Sequence, residues 1–247
     1  MLQIRHLKKT YNAGTDNELK LFENLSIDFE AETTALLGPN GCGKTTLLEL
    51  IAGRKEQDEG AMCLQGKDIT ADGERARAAY IARVHQDPSD GVAPSLSVLE
   101  NLALADHKGK PFTLRKLVRK ERIDFYREKL AELGLGLENK LSSLVQDLSG
   151  GQRQSLSLVM ATMKEPRILL LDEHTAALDP ATSQTVLEKT RELTARHRIL
   201  SIMVTHEPRS ALRYADRIVV LSRGSVAMDV RAETISEREL LETYLHA

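Results

Sequence analysis

Tryptophan is absent from these 247 residues, and four phenylalanines and five tyrosines are the whole aromatic complement. Few side chains are available to stack on a base, so each aromatic candidate can be judged singly. The two cysteines, Cys42 and Cys63, form no spaced pairs. That argues against a disulfide framework or a zinc site and fits a reducing compartment. A surplus of one charge is missing too. The formal net charge of −2 argues against a nucleic-acid binder that relies on a general basic field. The N-terminus, Met1 to Lys9, lacks the apolar stretch of a signal peptide. No window approaches the ~18 apolar residues of a membrane helix, so action at a membrane requires a partner that supplies the span. Internal repeats, low-complexity tracts and long linkers are also missing. What remains is a chain long enough to bury a real core, as one large domain with room for a subdomain.

The pattern that is present is α/β. Leu2, Ile4 and Leu7 start a strand, a polar turn spans Ala13 to Glu18, and Leu25, Ile27 and Phe29 alternate as in a half-buried strand. Met62–Leu64 and Lys67–Ile69 flank Gly66 as a hairpin. Glu74–Ala79 reads as a short helix, and Tyr80–His85 as a buried strand ending at Gln86. From Ser95 to Leu148 the character becomes helical. It includes a helix from Val98, a basic run from Lys108 to Lys120, and an amphipathic run through Ile123, Tyr126, Leu130 and Leu133. Apolar strands at Ile168–Leu171 and Ile199–Val204 then alternate with helices at Ser149–Lys164, Pro180–Arg196 and Arg209–Tyr214. Strands at Arg217–Leu221 and Ser225–Asp229 and a helix at Ser236–Leu245 close the sequence. Continuous apolar strands between helices predict a parallel sheet covered on both faces.

Gly38 to Thr45, Gly-Pro-Asn-Gly-Cys-Gly-Lys-Thr, has the spacing of a phosphate loop. Glycines let successive N–H groups curl onto a phosphate, and the helix that follows points its positive end at the same anion. Lys44 can reach the β- and γ-phosphates, and the Thr45 hydroxyl can hold Mg²⁺. Cys42 sits where the backbone makes the contacts, and a small side chain is tolerated there. Asp172 and Glu173 end an aliphatic strand. The first suits Mg²⁺, through water, and the second suits a general base or water polariser. His206, at the tip of another apolar strand, can hydrogen-bond a γ-phosphate oxygen and hold nucleotide, water and Glu173 in line. Tyr11, at the end of the first strand, can stack on an adenine. Ser149-Gly150-Gly151-Gln152 opens a helix and offers a second anion site. One nucleotide does not need two such sites in one chain, so this one is expected to close on the nucleotide of another subunit.

In this order the motifs resemble those of the ATP-binding subunits of the ABC superfamily, and the resemblance covers nearly the whole chain. It implies a P-loop NTPase core of the ABC ATPase type, with an antiparallel β subdomain and an inserted helical subdomain. The core would take residues 1–86 and 149–247, and the insertion about 87–148. The resemblance matches Tyr11 to the adenine-stacking aromatic and Gly38, Pro39, Asn40, Gly41, Cys42, Gly43, Lys44, Thr45 and Thr46 to the ATP-binding loop. Gln86 matches the glutamine that contacts Mg²⁺ and couples to a transmembrane partner. Ser149 to Gln152 and Asp179 match residues that act in trans from a second subunit, Asp172 matches the metal acid, and Glu173 and His206 match the catalytic pair.

The sequence departs from the usual pattern at Asp-Glu-His174-Thr-Ala176, where most such proteins carry proline after the acids. With Leu158–Met163 and Val-Thr-His-Glu-Pro, this run resembles a bacterial subgroup. Its members are ATPases of binding-protein-dependent importers assigned to amino acids, in some cases tryptophan or tyrosine. The implied function is ATP hydrolysis, with ATP and Mg²⁺, that drives a membrane permease. The expected assembly is a homodimer at the inner face of the cell membrane, linked indirectly to a substrate-binding protein, with no nucleic acid. The alternatives are a soluble ABC ATPase acting on ribosome or nucleic acid, and a non-hydrolysing adaptor. Intact Lys44, Glu173 and His206 speak against the last.

Overall fold

A computed structural model describes residues 1–109 and 117–246. The middle of the basic run Lys108–Lys120, residues 110–116, lies outside the described residues. The chain begins with β1 (Leu2–Tyr11), β2 (Leu19–Phe29) and β3 (Thr33–Leu37), then the loop and α1 (Lys44–Ile51). β4 (Glu59–Leu64), β5 (Lys67–Asp68), one-turn α2 (Glu74–Arg77) and β6 (Ile81–Val84) follow. Helices α3 (Val98–His107), α4 (Ile123–Ala131) and α5 (Gly150–Thr162) come next. The rest is β7 (Ile168–Asp172), α6 (Pro180–His197), β8 (Leu200–Val204), α7 (Pro208–Tyr214), β9 (Arg217–Ser222), β10 (Ser225–Arg231) and α8 (Glu237–His246).

Two sheets result. The smaller is antiparallel, in the order β2-β1-β4-β5. The larger runs β10-β9-β3-β8-β7-β6. Its strands are parallel except β10, which turns back on β9 through Arg223-Gly224 as an antiparallel edge. A two-residue turn cannot make a parallel crossover, so this edge departs from the all-parallel expectation for a geometric reason. β2 also starts earlier than the alternation at Leu25 suggests. Register shifts between β1 and β2 around Leu7 and Lys9 break the period of two, so its first half carries no clean alternation.

The continuous apolar runs have a direct cause, since successive side chains of a strand point to opposite faces. Ala35 and Leu37 of β3, Leu169 and Leu171 of β7, and Ile218 and Val220 of β9 enter one core, shared with Val98, Leu102, Tyr126, Leu130 and Leu156 of the helices. Leu36, Ile168, Leu170, Val219 and Leu221 enter the other, shared with α1 and the small sheet. β3, β7 and β9 are therefore sandwiched between two cores, and their polar residues lie at their ends.

Buried Arg77 fastens α1 to the small sheet. Its guanidinium donates to the carbonyls of Leu50 (2.7 Å) and Ile51 (2.9 Å) at the C-terminus of α1 and of Ile69 (2.6 Å) and Thr70 (3.2 Å) beyond the hairpin. A cation at a helix C-terminus satisfies carbonyls that have no intrahelical partner.

Candidate nucleotide site

The site collects at the carboxyl ends of the parallel strands, where an open α/β sheet leaves a crevice. The loop leaves β3, the central strand, and turns into α1. Gly38 has φ 148° and Gly43 has φ 108°. A Cβ on Gly38 would stand 2.3 Å from the Leu221 carbonyl oxygen, and one on Gly43 would stand 2.6 Å from the Phe22 ring. Both positions therefore need glycine for conformation and for space. Lys44 is buried, and its Nζ donates to the carbonyls of Gly38 (2.7 Å) and Pro39 (3.0 Å). Two of its three donors thus hold the loop closed on itself, and a third is left for an anion. Cys42 is buried in the core beside Gly38, and burial pushes its thiol pKa up. That is a packing environment, as the small-side-chain reading expects. Asn40, Gly41 and Thr45 are exposed at the crevice.

Tyr11 reaches the same region from the small sheet. Its hydroxyl lies 3.5 Å from Thr46 Oγ1 and accepts from Lys55 Nζ at 3.1 Å. The Lys55 and Lys9 ammonium groups lie 5.1 and 5.7 Å from its ring centroid. A half-exposed ring beside the loop helix, flanked by cations, is placed to receive an aromatic base.

The two acids at the end of β7 have different partners. Asp172 Oδ2 accepts from Arg83 Nη2 at 2.5 Å, across from β6. Glu173 Oε1 lies 2.5 Å from His206 Nε2, across from the end of β8. Glu173 has φ 46°, a left-handed conformation that costs a non-glycine residue about 1–3 kcal/mol. Its N–H donates to the Val204 carbonyl at 3.1 Å, and its own carbonyl accepts from Ala176 N–H at 3.0 Å. The turn is thus held from both sides, and its side chain is directed at His206. His174, next in sequence, is buried, and desolvation pushes its pKa down to about 4. Its Nε2 has no partner among the described residues.

Gln86, Arg83, Asp172, Gly150 and Arg153 share the wall of a cavity of about 580 Å³. The hydroxyl of Thr45, the amide oxygen of Gln86 and the carboxylate of Asp172 are hard oxygen donors. That set suits Mg²⁺, which takes few protein ligands and completes its shell with water and phosphate oxygens. No group of three His, Cys, Asp or Glu side chains able to hold a metal occurs among the described residues, so a site built from acids or imidazoles alone is not the alternative. Arg83 escaped the sequence reading. Its signal was a lone arginine in Ile-Ala-Arg-Val, since a charge in a strand buried on both sides demands a partner.

The segment Ser149 to Gln152, expected as a second anion site, forms a capped helix start. Ser149 Oγ accepts from Gln152 N–H at 3.3 Å, and Gln152 Oε1 accepts from Ser149 N–H at 3.3 Å and Lys140 Nζ at 3.2 Å. These bonds stay within the segment and its neighbour, and none reaches the phosphate loop. Asp179 caps α6 by accepting from Thr182 N–H at 3.1 Å, and hydrogen bonding to the Thr182 side chain, then to its N–H, lowers the Asp179 pKa. Gly150 and Gly151 differ. A Cβ on Gly150 would sit 3.5 Å from Leu178, an ordinary contact, whereas one on Gly151 would strike Thr182 Cγ2 at 2.2 Å. Gly151 is the point where α5 and α6 touch.

Comparison with known proteins agrees with this geometry. The family model described as ABC transporter matches residues 22–176. A tyrosine transport ATP-binding protein of Clostridioides difficile is 43% identical over 251 residues, covering 100% of both chains. A sulfate/thiosulfate import ATP-binding protein of Burkholderia mallei is 39% identical over 91% of this chain. The match covers 61% of that longer relative. Among solved structures, a dimeric ATP-binding cassette in a post-hydrolysis state, bound to ADP and Pi, superposes with a TM-score of 0.79 at 26% identity, covering 94% of this chain and 99% of the other.

Proposed function

The chain belongs to the ABC transporter family of ATP-binding subunits, and from that premise we propose that it is the ATPase of a bacterial importer of an amino acid or similar small solute. The observation that carries this reading is the Glu173–His206 pair at the tips of β7 and β8, beside a complete phosphate loop. The substrate class follows the full-length similarity to a tyrosine transport ATP-binding protein. No helix among the described residues is long and apolar enough to cross a membrane, so integral permease subunits would supply the path and a binding protein the solute. The ATPase would sit on the inner face of the membrane, with residues 87–148 as the helical subdomain that meets the permease.

In this reading Tyr11 stacks on the adenine, and the N–H groups of Gly38 and of Asn40 to Thr46 with Lys44 hold the phosphates. Thr45, Gln86 and Asp172 hold Mg²⁺, Asp172 through water. When bound, Mg²⁺ supplies charge neutralisation at the β- and γ-phosphate oxygens. Glu173 orients and polarises the attacking water, and His206 fixes Glu173 while donating to a γ-phosphate oxygen. Most of the rate gain comes from positioning and charge stabilisation. Ser149 to Gln152 and Asp179 act on the nucleotide of a second copy, so two chains enclose two nucleotides.

Affinity purification from solubilised membranes tests the reading. Recovery of integral membrane partners is expected. Recovery of ribosomes or nucleic acid with no membrane partner would overturn it in favour of a soluble ATPase.

A further inference from the structure

We propose that Arg83 is a positioning residue at the metal end of the site: its guanidinium is the resident counter-cation of Asp172 and yields that carboxylate to the divalent ion when nucleotide binds. The inference rests on the proposed assignment of Asp172 to the metal.

The pair is mostly out of water, with side-chain exposures of 12% for Arg83 and 10% for Asp172. β6 and β7 are parallel neighbours with Val84 opposite Leu171, so the two side chains meet at the end of the sheet. Charge interactions there are far stronger than at the surface. Without a cation, Asp172 would be a buried, unpaired carboxylate, and Arg83 prevents that.

The contact is nevertheless incomplete. Arginine–carboxylate pairs are frequently bidentate. Arg217 shows this in the same protein, with Nε and Nη2 on the two carboxylate oxygens of Asp229 at 2.6 and 2.5 Å. Arg83 offers Asp172 one nitrogen only. Its Nε and Nη1 are buried and have no partner among the described residues. Unmet buried donors are unfavourable, so the guanidinium is held in a position that it can leave. Space and a second acceptor are at hand. The cavity that Arg83 and Asp172 share with Gln86 also carries Asp87 and Asp90.

A divalent ion and a guanidinium on one carboxylate repel each other. Removing the positive charge at position 83 therefore favours the metal-loaded nucleotide over the metal-free one. A merely structural arginine would change both affinities together.

The test is calorimetric titration of the full chain with ATP, once with Mg²⁺ and once with EDTA, and it reads the ratio of the two affinities. R83Q keeps a donor and loses the charge, and the ratio is expected to rise at least threefold. R83K keeps the charge and the single contact, and its ratio is expected to stay within twofold of wild type. D172N is expected to bring the ratio close to one. A D172N protein with the wild-type ratio would overturn the metal assignment and this inference with it. A collapsed ratio in D172N together with an unchanged or lowered ratio in R83Q would overturn this inference alone. A second readout needs no neutral variant. The Arg83 guanidinium resonance of the wild-type protein, assigned by its loss in R83K, is expected to shift when Mg²⁺ is added to the ATP complex. A resonance that stays in place would contradict the exchange.

Discussion

His206 Nε2 and Glu173 Oε1 lie 2.5 Å apart, each at the tip of its own parallel strand, and the Glu173 backbone is bonded to Val204 two residues before the histidine. The imidazole thus fixes the carboxylate that would orient the water in the proposed mechanism, and the strained φ of Glu173 is fixed by the same junction. Glu173→Gln keeps the shape and loses the base. It is expected to bind ATP and pair with a second chain while turnover falls at least ~100-fold, in line with the contribution of a positioned general base. Single-turnover ATPase measurements beside equilibrium ATP binding check this. Unimpaired turnover would remove Glu173 as the base.

Arg77 joins α1 to the hairpin through four carbonyls. Arg77→Met removes the charged donor from all four, although Leu50 and Ile69 keep backbone donors from Gly53 and Asp72, and is expected to destabilise the fold by about 3 kcal/mol, since bonds to a buried charged group each carry more than neutral ones. Urea unfolding reads the loss. A shift smaller than about 1 kcal/mol would show that the contacts are replaceable.

His174 makes stability depend on acid. Its folded pKa of about 4 lies below the ordinary 6.5 because burial disfavours the charged ring. Above the ordinary value the ring is neutral in both states and contributes no slope. Below it the unfolded chain takes up a proton that the folded chain refuses, so stability falls as the pH drops from 6.5 to about 4. His174→Gln removes this proton. The stability difference between wild type and variant is expected to move by about 3 kcal/mol in favour of the variant between about pH 7.5 and about pH 4.5. Denaturant titrations at both pH values measure it, and a constant difference would contradict it.

Gly150 and Gly151, side by side at the start of α5, allow folding and the proposed assembly to be tested separately. Gly151→Ala strikes Thr182 and is expected to lower the melting temperature, with partial recovery in Gly151→Ala combined with Thr182→Ser. Gly150→Ala has room inside the chain and is expected to melt like wild type while its ATPase falls, because in the proposed dimer position 150 would border the partner's nucleotide. Melting curves and ATPase rates for the three proteins distinguish the cases.

Much of this was legible in the sequence because the relevant signals are local. The glycines at 38 and 43 announce a tight turn, and Ser149 with Gln152 announces a cap. The apolar runs at Leu36, Leu169 and Ile202 announce strands buried on both faces. The Arg83–Asp172 contact and the Arg77 clamp were not visible. Both depend on which elements become neighbours, and residues 83 and 172 are 89 apart in sequence. Arg77 sat in the short helix expected over Glu74–Ala79, and nothing local shows that the fold buries it against the end of α1.

In the proposed dimer the phosphate loop of one chain and the Ser149–Gln152 segment of another make one site. Mixing two defective proteins tests it most directly. Lys44→Ala spoils only the loop, and Ser149→Tyr spoils only the second anion site, so each homodimer lacks an intact site and a mixed dimer has one. ATPase activity of the equimolar mixture is predicted to exceed the sum of the separate activities. A mixture no more active than that sum, with mixed dimers present, would contradict the account.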